Sequence, residues 1–341
     1  MTTATNNPRA AAAEPAAATP ERFLSLIEDK LVATEQVFHD SLAADVPFIH
    51  DAGEYIFHGG GKRVRPALLL LSAQALGHDS DEEVTYGAVV ELIHTATLIH
   101  DDILDHSSLR RGQTTPNKLW GNSRTVLLGD WLYTSAMQLA LAHDNLEVIR
   151  NLVAATLRMT EGELLTLERL GSVDLTVDEY FEVIDRKTAE LFGAACFVPS
   201  LIQPVDADAG DALRRYGKAL GLCYQLTDDL LDFTAKESDL GKPVLSHLKE
   251  GKLTLPLILL LPRVGREQIG WIRSVLEDRD FARVEPQRIL ELVESEGTVE
   301  EVEELARHHA AEACRHLEEL PFGSAREALE FAPDFVLNRR S

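Results

Sequence analysis

Residues 82–105 read EEVTYGAVVELIHTATLIHDDILD, and this stretch decides the fold. Apolar side chains recur at helical spacing and, from Ala88 to Ile99, cover the helix nearly all round, as in a helix enclosed by other helices. The stretch then breaks into three carboxylates, Asp101, Asp102 and Asp105. A second segment repeats the design. Leu213 to Leu231 is apolar nearly all round and runs into TDDLLD, with Asp228, Asp229 and Asp232.

Working outward, LEVIRNLVAATLRMTEGELLTLERL has the same period, and no segment alternates like a strand. Breaks fall at His58 to Lys62, Gly77 to Ser80, Arg111 to Asn117, Gly171 to Ser172, Pro204 to Gly210, Ser238 to Gly251 and Glu296 to Gly297. They delimit roughly ten helices. The expected fold is all-α: one large bundle, with a central pair of helices inside an outer layer. Residues 1–20 form an Ala-, Thr- and Pro-rich tail expected to be disordered, and 21–341 form one catalytic domain without linker or fixed-period repeat.

Acidic residues outnumber basic ones by 56 to 33, for a formal charge of -23, which repels nucleic acid and any anion not met by local cations or metal ions. The three cysteines, Cys196, Cys223 and Cys314, are far apart and lack zinc or redox spacing, so they read as buried thiols of a reducing, cytoplasmic compartment. The N-terminus lacks the basic start and apolar run of a secretory signal. LTLPLILLLP from Leu253 is too short to span a bilayer, so an integral membrane protein is not expected.

At about 100° per residue, positions i, i+1 and i+4 fall within an arc of roughly 100°, so each aspartate triplet is expected to present three carboxylates on one helix face. An isolated DDxxD is often a merely solvated acidic face. Two such triplets, each interrupting an apolar helix, instead suit a cavity lined with hard-oxygen ligands for magnesium and a diphosphate.

Cations answer the acids. GGGKRVRP sets Lys62, Arg63 and Arg65 behind three glycines that let backbone approach an anion, without the spacing of a Walker A loop. Arg110 and Arg111 follow the first triplet. Lys187 and Thr188 lie in DRKTAELF, and Lys242 and Lys252 in GKPVLSHLKEGK. Gln225 precedes Asp229 by four positions and shares its helix face.

In order along about residues 23 to 340, GGGKRVRP, ELIHTATLIHDDILDHSSLRRG, RKTAELFGA, YQLTDDLLDF and GKLTLPL resemble the trans-isoprenyl diphosphate synthases. The resemblance implies the isoprenoid synthase type I fold, a homodimer, and head-to-tail condensation of isopentenyl diphosphate onto an allylic diphosphate with three magnesium ions. It makes all six aspartates catalytic: Asp101 and Asp105, beside Asp102, bind magnesium with the allylic diphosphate, assisted by Arg110, and Asp228 with neighbouring Asp229 and Asp232 holds a further ion. Lys62, Arg65, His94 and Arg111 match the isopentenyl diphosphate site. Lys187, Gln225, Lys242 and Lys252 match the allylic diphosphate site, where Thr188 and Gln225 stabilise positive charge. Pyrophosphate serves as the base in this family, so His94 is read as a diphosphate ligand. After GKP the family commonly has a glycine and, two positions later, an aspartate; this chain has Leu245 and His247.

The residues a turn before the first triplet, Ala96 and Thr97, decide product length in the family. Neither is aromatic, so the chain resembles the long-chain synthases of quinone tails, with Ile93, Val90, Val89 or Met137 as deeper floors. Transient membrane contact would release such a product. A geranylgeranyl or other short-chain synthase and a non-catalytic subunit of a heteromeric synthase are the alternatives. A type I terpene cyclase would leave Lys62, Arg65 and Arg111 without purpose.

Overall fold

A computed structural model of the protein describes residues 23–234 and 244–339. The expected disordered tail and Lys242 lie outside the described residues.

Helix starts follow from the side chains placed before them. The Asn145 side chain accepts the Glu147 and Val148 N–H groups, and Thr176 and Glu179 exchange hydrogen bonds in a capping box. Pro47, Pro116 and Pro286 occupy first turns, where a missing N–H costs nothing.

The order is α1 (Glu28–Asp40), α2 (Pro47–His58), α3 (Val64–Ala75), α4 (Glu82–Leu104), a hairpin of β1 (Leu109–Arg110) and β2 (Gln113–Thr114), α5 (Pro116–Trp120), α6 (Asn122–Ala140), α7 (Leu146–Arg169) and α8 (Val177–Ile184). A wide π turn, Asp185–Ala189, leads into α9 (Glu190–Ile202) and α10 (Ala207–Thr234). Then come α11 (Ser246–Lys249), α12 (Leu255–Leu260), α13 (Arg266–Asp278), α14 (Pro286–Ser295), α15 (Thr298–His316) and α16 (Ser324–Leu337).

The fold is all-α, as the periodicity predicts, with the small hairpin as the one departure among the described residues. The expected central pair gains a third member. Helix α9 packs on α10, α3, α7 and α4, and Leu191, Phe192, Ala195, Cys196 and Val198 are wholly buried. Around it lies one core cluster, with Leu69, Leu92, Leu132 and Tyr216. A second, with Leu257, Ile272, Ile289 and Val302, takes Leu226 and Leu230 from the far end of α10. Helix α10 therefore joins both cores.

Close helix approach is set by glycine. A Cβ on Gly217 would lie 2.5 Å from the Phe192 carbonyl oxygen, and one on Gly221 2.6 Å from Ala189 Cα. On the other side of the π turn, a Cβ on Gly162 of α7 would lie 2.8 Å from the Lys187 amide nitrogen. The π turn is thus held between two helices at backbone distance.

Candidate active site

The apolar ends of α4 and α10 open onto a cavity of about 1210 Å³, larger than the roughly 300–1,000 Å³ of most ligand sites. It is lined by Lys62, Arg65, His94, Thr97, Asp101, Asp105, Arg110, Arg111, Lys187, Thr188, Gln225, Asp228, Asp229, Asp232 and Lys252. Nearly all residues singled out in the sequence therefore meet. Asp102 and Ala96 do not line it.

The first triplet divides. Asp101 and Asp105 face the cavity, where Lys187 Nζ lies 3.5 Å from Asp101 and Lys252 Nζ 2.5 Å from Asp105. Burial alone would raise the Asp105 pKa, but Lys252 and Lys187 outweigh it and hold the carboxyl below its usual range. Asp102 turns inward, is 1% exposed and accepts from Arg110 Nε at 2.8 Å. The expectation of three carboxylates on one face fails because one residue is a 100° swing, enough to carry Asp102 into the core.

The second triplet divides likewise. Asp228 takes Arg339 Nη2 at 3.1 Å. Asp229 is buried and accepts from Tyr180 OH at 2.6 Å and from Gln225 Nε2 at 2.8 Å; burial raises its pKa despite these donors and nearby His247. Thr188 in turn donates to Gln225 Oε1 at 2.8 Å, so a continuous chain ties the π turn to the second triplet. Asp232 receives the Ser246 and His247 amides at 2.8 and 3.1 Å and so fixes the start of α11.

Leu245, where the family commonly has glycine, adopts a left-handed φ of 56° with its side chain wholly buried. His247 follows, its Nδ1 buried without a hydrogen bond and 3.5 Å from Asp232 Oδ2. Burial lowers its pKa, but Asp232 and Asp229 reverse the sign and raise it. One ligating atom from each of Asp228, Asp229 and His247 lies within 4.8 Å of the others. The donor sets fit divalent cations: oxygen-only at Asp101 and Asp105, oxygen with nitrogen at the second triplet.

A basic end completes the cavity. Arg111 and Gly112, both at positive φ, make the two-residue turn between β1 and β2, and Arg111 Nη1 donates to the Gly60 carbonyl. Arg65 lies 4.4 Å over the Phe192 ring. Burial, then repulsion from Arg339 and Arg111, lowers the Lys62 pKa; burial and four arginines hold His94 well below the usual histidine range. Crowded cations in a partly dry pocket are the electrostatic form of an anion site. Arg63 is bound instead to Glu91 and Glu35, at 2.7 and 3.1 Å.

Sequence reasoning missed Tyr180, Arg339 and Glu163. Tyr180 sits in DEYFEVI beside the matched RKT, and Glu163, paired with Lys187, sits in an ordinary amphipathic run. Arg339 comes from the opposite end of the chain, with no local motif to signal it. Of the tail-limiting positions, Thr97 lines the cavity while Ala96 is 2% exposed, packed in the core beside it. Val89, Val90 and Ile93 are wholly buried in the same core.

The pattern of the family described as "Polyprenyl synthetase" matches residues 46–293. The chain belongs to this family. It is 37% identical over 310 residues to the octaprenyl diphosphate synthase of Escherichia coli K12, covering 91% of this chain and 95% of that one. It is 35% identical to solanesyl diphosphate synthase 1, chloroplastic, of Arabidopsis thaliana, covering 93% and 79%. Among solved structures, the polyprenyl synthase of Caulobacter crescentus, complexed with calcium and isoprenyl diphosphate, superimposes with a TM-score of 0.90 at 35% identity over 95% of this chain and 98% of that one. A decaprenyl diphosphate synthase from Rhodobacter capsulatus gives 0.89 at 33% identity over 95% and 100%. The fold is the isoprenoid synthase type I fold, and the protein is a prenyltransferase by family.

Proposed function

We propose that the protein is a trans-polyprenyl diphosphate synthase that lengthens an allylic diphosphate with isopentenyl diphosphate to a long-chain product. The observation that carries this reading is one cavity lined by two sets of basic groups, one beside the first aspartate triplet and one around Arg111. Lys187 and Lys252 stand beside Asp101 and Asp105, and Lys62, Arg65, His94 and Arg111 form the other set.

In this reading Asp101, Asp105 and Asp228 hold magnesium, which when bound screens the charge of the departing diphosphate. Lys187 and Lys252, with Lys242, orient the allylic diphosphate, and Lys62, Arg65, His94 and Arg111 orient isopentenyl diphosphate. The allylic carbon–oxygen bond breaks, the alkene of isopentenyl diphosphate forms the new carbon–carbon bond, and the released pyrophosphate takes the proton. The oxygens of Thr188 and Gln225 stabilise the allylic cation. Met159 and Leu167 line an apolar side of the cavity with Thr97, where a growing tail is shielded from water.

The exposed side chains Leu127, Leu146, Val153, Leu157 and Leu164 form an apolar face on α6 and α7, which supports a homodimer. No described helix is long and apolar enough to cross a membrane, in keeping with a cytoplasmic enzyme that touches membrane only to release product.

The test incubates the purified protein with magnesium, labelled isopentenyl diphosphate and, separately, geranyl, farnesyl or geranylgeranyl diphosphate. Products longer than geranylgeranyl diphosphate are expected. Products stopping there would refute the long-chain reading, and no product with any primer would refute the synthase reading of the isolated chain.

A further inference from the structure

Magnesium sites are built from oxygen, because a small hard cation gains little from an imidazole. The second aspartate cluster departs from that rule. His247 stands where the family pattern commonly carries aspartate, and one of its nitrogens joins oxygens of Asp228 and Asp229 within 4.8 Å. Its placement is built in. Asp232 binds the amides of Ser246 and His247 at 2.8 and 3.1 Å, and the Leu245 amide donates to the Asp232 carbonyl at 3.0 Å. Leu245 anchors the turn by burying its side chain completely. The imidazole makes no hydrogen bond through Nδ1, although that atom is shut off from solvent; its nearest carboxylate oxygen, Asp232 Oδ2, stands 3.5 Å away.

We infer that His247 supplies a nitrogen ligand to the divalent ion held at Asp228, so that this site favours manganese or cobalt over magnesium more strongly than an all-carboxylate site does. The inference rests on the synthase reading of the cavity, and it concerns one residue of this chain. Asp229 already receives Tyr180 and Gln225, and Asp228 receives Arg339 Nη2 at 3.1 Å, so a cation at Asp228 competes with Arg339 and gains from the further donor that His247 supplies.

The experiment loads the full-length protein with manganese and inorganic diphosphate and records pulsed electron paramagnetic resonance. An imidazole ¹⁴N modulation is expected in the wild type, altered by ¹⁵N-histidine labelling and abolished in His247→Asp, which returns the family's carboxylate and still binds manganese. Calorimetric titration with cobalt and magnesium, each alone, should show the cobalt-to-magnesium affinity ratio falling by about tenfold or more in His247→Asp, as for other losses of metal-site support. Manganese bound to the wild type without nitrogen modulation, or an unchanged ratio, overturns the inference. The wild-type product assay with magnesium keeps the two claims apart: product without nitrogen coupling refutes only the metal preference, and coupling without product refutes only the synthase reading.

Discussion

Gly162→Ala tests whether the π turn is positioned by contact with α7. The new Cβ would lie 2.8 Å from the Lys187 amide nitrogen and 2.9 Å from Arg186 Cβ. Ordinary contact begins at 3.4 Å, so the turn must retreat by about 0.6 Å, the difference between 3.4 and 2.8 Å. Overpacking of this kind costs about 1–3 kcal/mol, offset by about 1 kcal/mol of better helix propensity. A net loss of up to about 2 kcal/mol should lower the melting temperature by several degrees. The catalytic loss should be larger in proportion, because Lys187 and Thr188 ride on the displaced backbone; misplacement by 1 Å costs about 100-fold, so a tenfold or greater fall in turnover is expected. Steady-state incorporation of labelled isopentenyl diphosphate and a thermal melt read the two effects. Gly270→Ala is the control, since nothing lies within 4 Å of its added Cβ in α13; it should gain up to about 1 kcal/mol with turnover unchanged. Wild-type turnover in Gly162→Ala would refute the claim that α7 sets the position of Lys187.

Asp102→Asn should destabilise the fold by about 1–3 kcal/mol by weakening the charged hydrogen bond from the partly exposed Arg110, whereas Asp101→Asn should abolish turnover with little loss of melting temperature. Lys252→Ala leaves the burial of Asp105 unopposed by its nearest cation. The depressed wild-type carboxyl contributes stability that is present above the ordinary carboxylate pKa of about 3.9 and lost as pH falls through the folded value, so the stability gap to the variant should be widest near neutrality and close on acidification. Melts across a pH series would show it, and a gap that widens in acid would contradict the assignment. Thr97→Phe should shorten the products seen by chromatography, while Ala96→Phe should mainly lower the melting temperature by overpacking the core. Leu245→Gly relieves about 1–2 kcal/mol of left-handed strain but forfeits a buried leucine worth about 2–5 kcal/mol, so chemical denaturation should show a net loss.

What the sequence made legible were relations within one helix. The four-residue spacing of Asp101 and Asp105, and of Gln225 and Asp229, puts each pair on one face, and the hydrogen bond from Gln225 to Asp229 follows from that spacing. Relations one residue apart were harder. Asp102 and Ala96 adjoin cavity residues yet face the core, because only tertiary packing decides which flank of an enclosed helix meets a cavity. The hairpin escaped notice because two-residue strands have no alternation to read. Arg339 reaches Asp228 from 111 residues along the chain, a distance over which no local pattern informs.

The glycine contacts around the π turn have a mechanical consequence. Where side chains separate two helices, a rotamer change can absorb a displacement before it reaches the chemistry. At Gly162 and Gly221 backbone meets backbone, and no such cushion exists. The separation of Lys187 and Thr188 from the aspartates of α10 is then fixed by stiff covalent units, so any opening of the cavity there must move whole helices together. Residues that touch no substrate become as intolerant of change as those that do.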